Sequence, residues 1–124
     1  MRLTFLGKDS VPDQSPTLYA TDQDSYVVQG WIVTDPQIRV TIMVSDDETV
    51  VEVPAQLMAH LVNDGLAGEV VNLIPPIVHV TENGNYIILG RRVTDHTALG
   101  QMKIPDHETC VEVSRSAIVA LVGS

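Results

Sequence analysis

Apolar and polar positions alternate along several short stretches of this chain, and the alternation predicts β-strands. Residues 49–53 and 109–113 each place valines on both sides of a glutamate, as a strand with one buried face does. Longer runs at 26–33 and 86–93 are rich in β-branched residues. We therefore predict strands at residues 16–21, 26–33, 49–53, 76–81, 86–93 and 109–113, with an additional N-terminal strand at 2–7.

The apolar spacing takes a helical period after the third strand of each set. Apolar side chains recur at three- and four-residue intervals in residues 54–63 and 114–122, which predicts a half-buried helix in each. Pro54 and Gly65 fit the start and the stop of the first helix, and Ser114 fits the N-cap of the second. The buried faces are predicted to hold Leu57, Met58, Leu61 and Val62 in one helix and Ala117, Ile118, Leu121 and Val122 in the other.

A further short helix is predicted after each of the longer strands. Asp35 precedes Pro36, and an N-cap followed by proline begins many helices. Asp95 stands at the matching point, so a short helix or a turn is expected near 36–41 and near 96–102. Residues 38–44 are rich in β-branched side chains, however, and a strand is the alternative there.

The same elements occur twice, sixty residues apart. When residues 15–64 are placed over residues 75–124 without a gap, fifteen of the fifty positions are identical. We predict an α+β fold of two duplicated β-β-(short helix)-β-α units, packed about a pseudo-twofold axis as a single domain over residues 1–124. The strand at 2–7 is expected to pair with residues 69–74. The pattern does not distinguish a barrel from an open sheet.

Charge and composition narrow the classes of partner. The net charge is −9, and an acidic field repels nucleic-acid phosphates and anionic membrane surfaces, so neither is expected as a direct partner. The one cysteine, Cys110, excludes an intrachain disulfide, is typical of a reducing compartment, and lies in an apolar run that indicates a buried thiol. The N-terminus has no signal-peptide pattern, and Pro75-Pro76 splits the longest apolar run. We predict a soluble, cytoplasmic protein.

Few residues have the spacing of a catalytic or metal site. The chain lacks G-x-S-x-G, C-x-x-C, H-x-x-x-H and a phosphate-binding glycine loop, so we predict no enzymatic activity and no cofactor. The two acidic turns at residues 46–48 and 106–108 could lie close together and hold Mg²⁺ or Ca²⁺ through oxygen ligands. Solvated turns are the simpler interpretation, and no metal site is assigned. The candidate ligands are Asp46, Glu48, Asp106, His107 and Glu108.

Two matched pairs of residues lie inside the strands. Glu52 and Glu112 alternate with valines and are expected to point away from the core, where they are solvated or paired with arginines. Gly30 and Gly90 interrupt the longer strands, which indicates the close approach of another backbone. Packing of the two units against each other would account for both glycines.

One exchange between the units provides the main functional hypothesis. Trp31-Ile32 of the first unit is replaced by Arg91-Arg92 in the second. Consecutive strand residues point to opposite faces and at least one guanidinium must reach solvent, so one of Trp31 and Ile32 should be exposed. Tryptophan is favoured at binding hot spots. We hypothesise that Trp31 and Ile32, flanked by Gln29, contact a partner protein or a second copy, and that Arg91 and Arg92 have lost this role; a Trp31 that fills core space is the alternative.

The string TFLGKD…SPTLY…DSYVVQGWIVTDP…ETVVEVP resembles a group of small, acidic, uncharacterised actinobacterial proteins. The strand YVVQGW, the following VTDP and an IPDHET turn, here at 104–109, carry the resemblance, which covers nearly the whole chain. The second unit lacks the QGW of the pattern. The resemblance implies no catalytic residues; it implies a regulatory partner, such as a transcriptional regulator.

These features favour a non-enzymatic interaction or regulatory accessory module that binds a protein partner or associates with itself. One alternative is a protein that binds a small molecule or a divalent ion in the cleft between the two units. Another is DNA binding by a swapped-hairpin fold, for which V-x-V-P-x-x-L at 51–57 is a signal. The acidic charge argues against DNA binding.

Overall fold

A computed structural model describes residues 1–8, 16–42 and 44–122. Ser15, at the predicted start of the first unit, and residues 123–124, at the end of the second, lie outside the described residues. The described part contains seven strands and four helices, a mixture consistent with the predicted α+β class. The strands are β1 Leu3–Lys8, β2 Thr17–Thr21, β3 Ser25–Ile32, β4 Glu48–Val53, β5 Ile77–Val80, β6 Tyr86–Arg92 and β7 Glu108–Ser114. The helices are α1 Pro36–Thr41, a 3₁₀ helix Ala55–Asp64, α2 His96–Gly100 and α3 Arg115–Val122.

All strand pairs described here are antiparallel, and four of the pairings join four strands into a closed ring. β3 pairs with β7 and β4 pairs with β6 over nearly their whole lengths. The end of β3 also reaches β4, and the end of β6 reaches β7. The sheet therefore forms a closed ring of β3, β4, β6 and β7, with β2 beside β3 and β5 beside β6.

The registers of the four pairings in the ring repeat when sixty is added to the residue numbers. Trp31 faces Glu108 in the β3–β7 pair, and Arg91 faces Glu48 in the β4–β6 pair. The short pairings of β3 with β4 and of β6 with β7 are offset in the same way. Because a one-residue slip would turn a strand's buried side chains to the other face, equal registers place matched side chains of the two sets in similar positions.

The main core lies between the ring and the two longer helices. Its members are apolar side chains at alternate strand positions, together with the buried faces of the 3₁₀ helix and α3. They include Leu18, Tyr26, Val28, Val51, Val53, Leu57, Met58, Leu61, Ile88, Val111, Ile118 and Leu121. A smaller cluster of Val33, Val50 and Ile87, packed against Ile38 and Ile42, lies under α1.

The first closing helix is wound as a 3₁₀ helix, and this changes its buried face. Leu57, Met58 and Leu61 are buried as predicted, but Val62 is 58% exposed. With about three residues per turn, Val62 lies about 120° from both Leu57 and Leu61 and turns away from the core. In α3 the wider α-helical winding keeps the matching Val122 buried.

The predicted partner of the N-terminal strand is wrong. β1 pairs with β2, from Leu3 opposite Thr21 to Lys8 opposite Thr17. Residues 69–74 form no strand. Two backbone groups of this segment form hydrogen bonds to a helix instead. The N–H groups of Val71 and Asn72 donate to the Leu121 carbonyl at the end of α3, at 2.8 and 3.0 Å.

The short helices follow the predicted caps. The Asp35 side chain accepts a hydrogen bond from the Gln37 N–H at 2.9 Å, and Asp95 accepts one from the Ala98 N–H at 2.9 Å. Residues 38–41 are therefore helical, and the strand alternative for this run is wrong there; Met43 lies outside the described residues. None of the helices in the described ranges is long and apolar enough to cross a membrane.

Candidate interaction site

Trp31 and Ile32 end β3 at the surface of the ring. Ile32 is 41% exposed and Trp31 is partly exposed, whereas Val33, the next residue, is 2% exposed. The backbone N–H of Ile32 donates to the His107 carbonyl at 3.0 Å, which fixes the end of the strand beside the turn before β7. The expected exposure of at least one of the two side chains is therefore observed, chiefly at Ile32.

Gln29 is not part of this surface, which corrects its assignment as a contact residue. Its side chain is 1% exposed, and Nε2 donates to Glu108 Oε1 at 2.8 Å and to the Lys103 carbonyl at 2.9 Å. The Glu108 side chain is itself fully buried, so it is not the solvated turn residue that the sequence indicates. Gln29 thus ties β3 to the segment before β7. The sequence carries one signal for this difference, because the second unit has Leu89 at the matching position.

Arg91 and Arg92 occupy the matching end of β6 and are exposed. Arg91 lies 3.7 Å from the Glu112 carboxylate, and Arg92 Nε donates to the Asp46 carbonyl at 3.2 Å. Surface pairs of this kind contribute little to stability. The second unit therefore covers this position with charged side chains, where the first unit has Trp31 and Ile32.

Glu52 and Glu112 are hydrogen-bonded, although both were expected to point to solvent or to an arginine. Ser25 Oγ donates to Glu112 Oε2 at 2.6 Å, and Asn85 Nδ2 donates to Glu52 Oε2 at 2.8 Å. Ser25 and Asn85 are sixty residues apart, so the two bonds are matched. Glu112 also lies close to an arginine, Arg91.

The two acidic turns lie beside different strand ends. The Arg92 N–H donates to the Asp47 carbonyl at 2.8 Å in one turn, and Ile32 contacts the other turn at His107. In the parts of the chain that the structure describes, no group of three or more His, Cys, Asp or Glu side chains could hold a metal ion. The candidate ligands Asp46, Glu48, Asp106, His107 and Glu108 thus form no such group.

A cleft of about 610 Å³ opens next to Ile32 and receives residues from both units. We call it the first cleft. Ile32, Asp35 and Glu52 line it from the first unit, and His79 and Glu82 line it from the second. Three carboxylates on one concave surface favour a cationic ligand.

A second cleft, of about 480 Å³, lies at the matching end of the other unit. Arg91, Arg92, Asp95 and Glu112 line it, and so does Met1. The residues Ile32, Asp35 and Glu52 of the first cleft correspond to Arg92, Asp95 and Glu112 here. The two clefts thus share a framework and differ in charge, because the second contains arginines.

Comparisons of the chain with protein-family models, with curated proteins and with solved structures find no match.

Proposed function

We propose that this chain is a non-enzymatic interaction module of two duplicated units packed about a pseudo-twofold axis. The duplication is supported by the equal registers of the long pairings, where Trp31–Glu108 corresponds to Arg91–Glu48. The matched caps of α1 and α2 at Asp35 and Asp95 support it as well. In such an arrangement a difference between matched residues marks a role that only one unit has.

The observation that carries the proposed function is the exposure of Ile32 beside Trp31. At these backbone positions the other unit places Arg91 and Arg92, which are compatible with water. The first unit instead leaves Ile32, 41% exposed, in the lining of the first cleft, and a partly exposed Trp31 directly before it on the strand. Tryptophan is favoured at binding hot spots, and Ile32 adds apolar surface on the opposite face of the strand end.

The partner is a protein or a second copy of the chain in the cytoplasm. A regulatory partner, such as a transcriptional regulator, is the class that the resemblance to small acidic actinobacterial proteins implies. The net charge of −9 makes direct contact with nucleic acid unfavourable.

The test replaces Trp31 and Ile32 by the arginines that the second unit has at the matching positions. Trp31→Arg combined with Ile32→Arg introduces side chains that the matching backbone already accepts, so the fold should be retained. We expect the unmodified chain to self-associate in sedimentation experiments or to capture a partner from native lysate, and the double variant to do so at least tenfold more weakly. Val62→Arg, at a 58% exposed position on the 3₁₀ helix, is the matched control and should behave as the unmodified chain does.

Two outcomes would contradict the proposal. One is equal association by the double variant and the unmodified chain, or none by either. The other is a large loss of thermal stability in Trp31→Ala with an unchanged oligomeric state, which would show that Trp31 serves packing.

A second candidate function is the binding of a small molecule or a divalent cation in the first cleft. The volume of the cleft and the carboxylates of Asp35, Glu52 and Glu82 favour a small organic cation, whereas the described residues contain no group of three or more His, Cys, Asp or Glu that could hold a metal ion. A thermal-shift screen with Mg²⁺, Ca²⁺ and small organic cations tests it. A rise in melting temperature that disappears in Glu82→Gln would support it, and no rise with any of these ligands would exclude them.

A further inference from the structure

The outer edge of β2 is covered by β1, whereas β5, its counterpart, ends the sheet. β2 and β5 hold matching places, because Ala20 faces Tyr26 and Val80 faces Tyr86. Among residues 1–8, 16–42 and 44–122, β5 pairs only with β6. The second of the two equivalent edges is thus open in the described part of the chain.

Residues 1–3 are held at the covered edge by a specific set of contacts. The Met1 amino group lies 3.1 Å from Asp95 Oδ2. The Arg2 N–H donates to Asp22 Oδ1 at 3.0 Å, and the Arg2 carbonyl accepts from the Asp22 N–H at 3.2 Å. The Leu3 N–H donates to Gln101 Oε1 at 3.0 Å. Asp95, Asp22 and Gln101 therefore bind the N-terminal end of this strand, and we call these three the seat residues.

The counterparts of these three seat residues line the first cleft. At a distance of sixty positions, Asp95 corresponds to Asp35, Gln101 to Thr41 and Asp22 to Glu82. All three of these counterparts line the cleft of about 610 Å³ beside Ile32. The first cleft is thus the counterpart of the place where the N-terminal strand begins.

Exposure along the two strands agrees with this difference. Ala20 on β2 is 8% exposed, whereas the matching Val80 on β5 is 38% exposed. At the other end of the strand Ile77 faces Ile88 as Leu18 faces Val28, and both Leu18 and Ile77 are buried. The apolar surface that β5 leaves in solvent is therefore at Val80.

We propose that the open edge of β5 binds an extended segment of a partner protein, which adds as an antiparallel strand and places a cationic leading group between Asp35 and Glu82. This inference rests on the proposed interaction function and identifies the partner class. The strand addition follows from the open edge, since backbone hydrogen bonds supply the affinity in such complexes. The cationic group, a lysine or a free amino terminus, follows from the carboxylates of the cleft.

The probe is the chain's own strand supplied in trans, the peptide MRLTFLGK of residues 1–8. We expect it to shift backbone amide resonances of residues 35–41 and 77–82 in a ¹⁵N–¹H titration of the full chain. The Asp22 N–H donates to the Arg2 carbonyl, so the N–H groups of β1 that point toward β2 are those of alternate residues that include Thr4, opposite Ala20. The peptide MRLPFLGK, in which proline removes the Thr4 donor, and the N-acetylated peptide should each bind at least tenfold more weakly.

The protein variants separate charge from fold. Asp35→Asn keeps an N-cap residue for α1, so Asp35→Asn combined with Glu82→Gln removes two charges with little effect on the helix. We expect this double variant to bind the peptide at least tenfold more weakly. Glu69→Gln, an exposed acid outside the cleft, is the control and should bind normally.

Several results would overturn the inference. They are the absence of shifts at 35–41 and 77–82, unchanged binding by the double variant, or shifts confined to residues 17–22 and 95–101, which would mean that the peptide displaces β1. Concentration-dependent shifts along β5 without peptide would identify a second copy as the occupant instead. If the peptide does not bind but association still depends on Trp31 and Ile32, only the strand-addition inference is contradicted. If association does not depend on Trp31 and Ile32, the proposed function is contradicted as well.

Discussion

The carbonyl oxygen of Glu52 lies 2.5 Å from the position that a Cβ on Gly30 would take. The matching distance from the Glu112 carbonyl to a Cβ on Gly90 is 2.8 Å. Both are shorter than a real Cβ contact, and the atoms involved are backbone, which cannot swing away. The close approach occurs within each unit, and not between the units as the matched glycines had indicated. Each glycine allows the third strand of its unit to cross the end of the second.

Gly30→Ala and Gly90→Ala should each lower the free energy of unfolding by about 1–3 kcal/mol, because the added methyl overpacks a backbone crossing. Urea unfolding measured by circular dichroism tests this. Gly100→Ala is the matched control, since among the described residues no atom outside its chain neighbours and its own helix lies within 4 Å of the added Cβ, and it should leave stability unchanged or raise it by up to about 1 kcal/mol. Unfolding of Gly30→Ala at the same urea concentration as the control would contradict the explanation.

Tyr26→Phe should lower stability by about 1–2 kcal/mol, because the buried ring ends in a charged hydrogen-bond network. Tyr26 Oη donates to Asp64 Oδ2 at 2.5 Å, and an Arg115 guanidinium nitrogen lies 2.9 Å from Oη and 3.0 Å from that carboxylate. Burial and the bond to Asp64 raise the pKa of Tyr26. Tyr86→Phe is the control, because Ala55 stands where the second network would need an arginine. Equal losses in the two variants would show that the network contributes nothing.

The Cys110 thiol should react very slowly with Ellman's reagent in the native protein at pH 8. Its residue is 4% exposed, and burial raises its pKa to about 11, so well under about 1% is thiolate at that pH. In guanidinium chloride the reaction should proceed at the rate of a free thiol. Equal rates in the native and unfolded protein would mean that β7 opens readily.

Asp95 should make stability depend on pH in the acid range. The hydrogen bond from the Ala98 N–H, and then the one from the Met1 amino group, hold the pKa of Asp95 below its ordinary value of 3.8. A lowered folded-state pKa stabilises the protein above 3.8, and this contribution is lost as the pH falls through the folded value. Thermal melts of the unmodified chain and of Asp95→Asn, which keeps a cap residue, should therefore converge as the pH is lowered from 7 toward 3. A constant difference across that range would exclude the effect.

The local elements could be predicted because their causes lie within a few residues. Asp35 before Pro36 begins a helix wherever the chain goes, and Gly65 ends the 3₁₀ helix with a left-handed φ of 82°. The alternation around Glu52 and Glu112 likewise fixes strands without knowledge of their neighbours. Strand pairing depends on the whole topology, and for that reason the partner of β1 was predicted wrongly.

The candidate site was predicted in part. The exposure of Ile32 could be predicted because the repeat places an arginine at the matching strand position, and an arginine there must reach solvent. Gln29 is buried because Glu108 and the Lys103 carbonyl accept its amide protons, and these partners lie more than seventy residues away in sequence. The winding of the 3₁₀ helix, which exposes Val62, also has no local signal that we can identify.

The pairing of β3 with β7 has a consequence for how the chain matures on the ribosome. Ser25 faces Ser114, eighty-nine positions further along, so β3 is synthesised well before its partner strand β7. Until β7 has been synthesised, one edge of β3 is unpaired, and the β7 segment of another nascent chain can pair with it. Intertwined pairs of molecules are therefore the characteristic product to expect when synthesis outpaces closure.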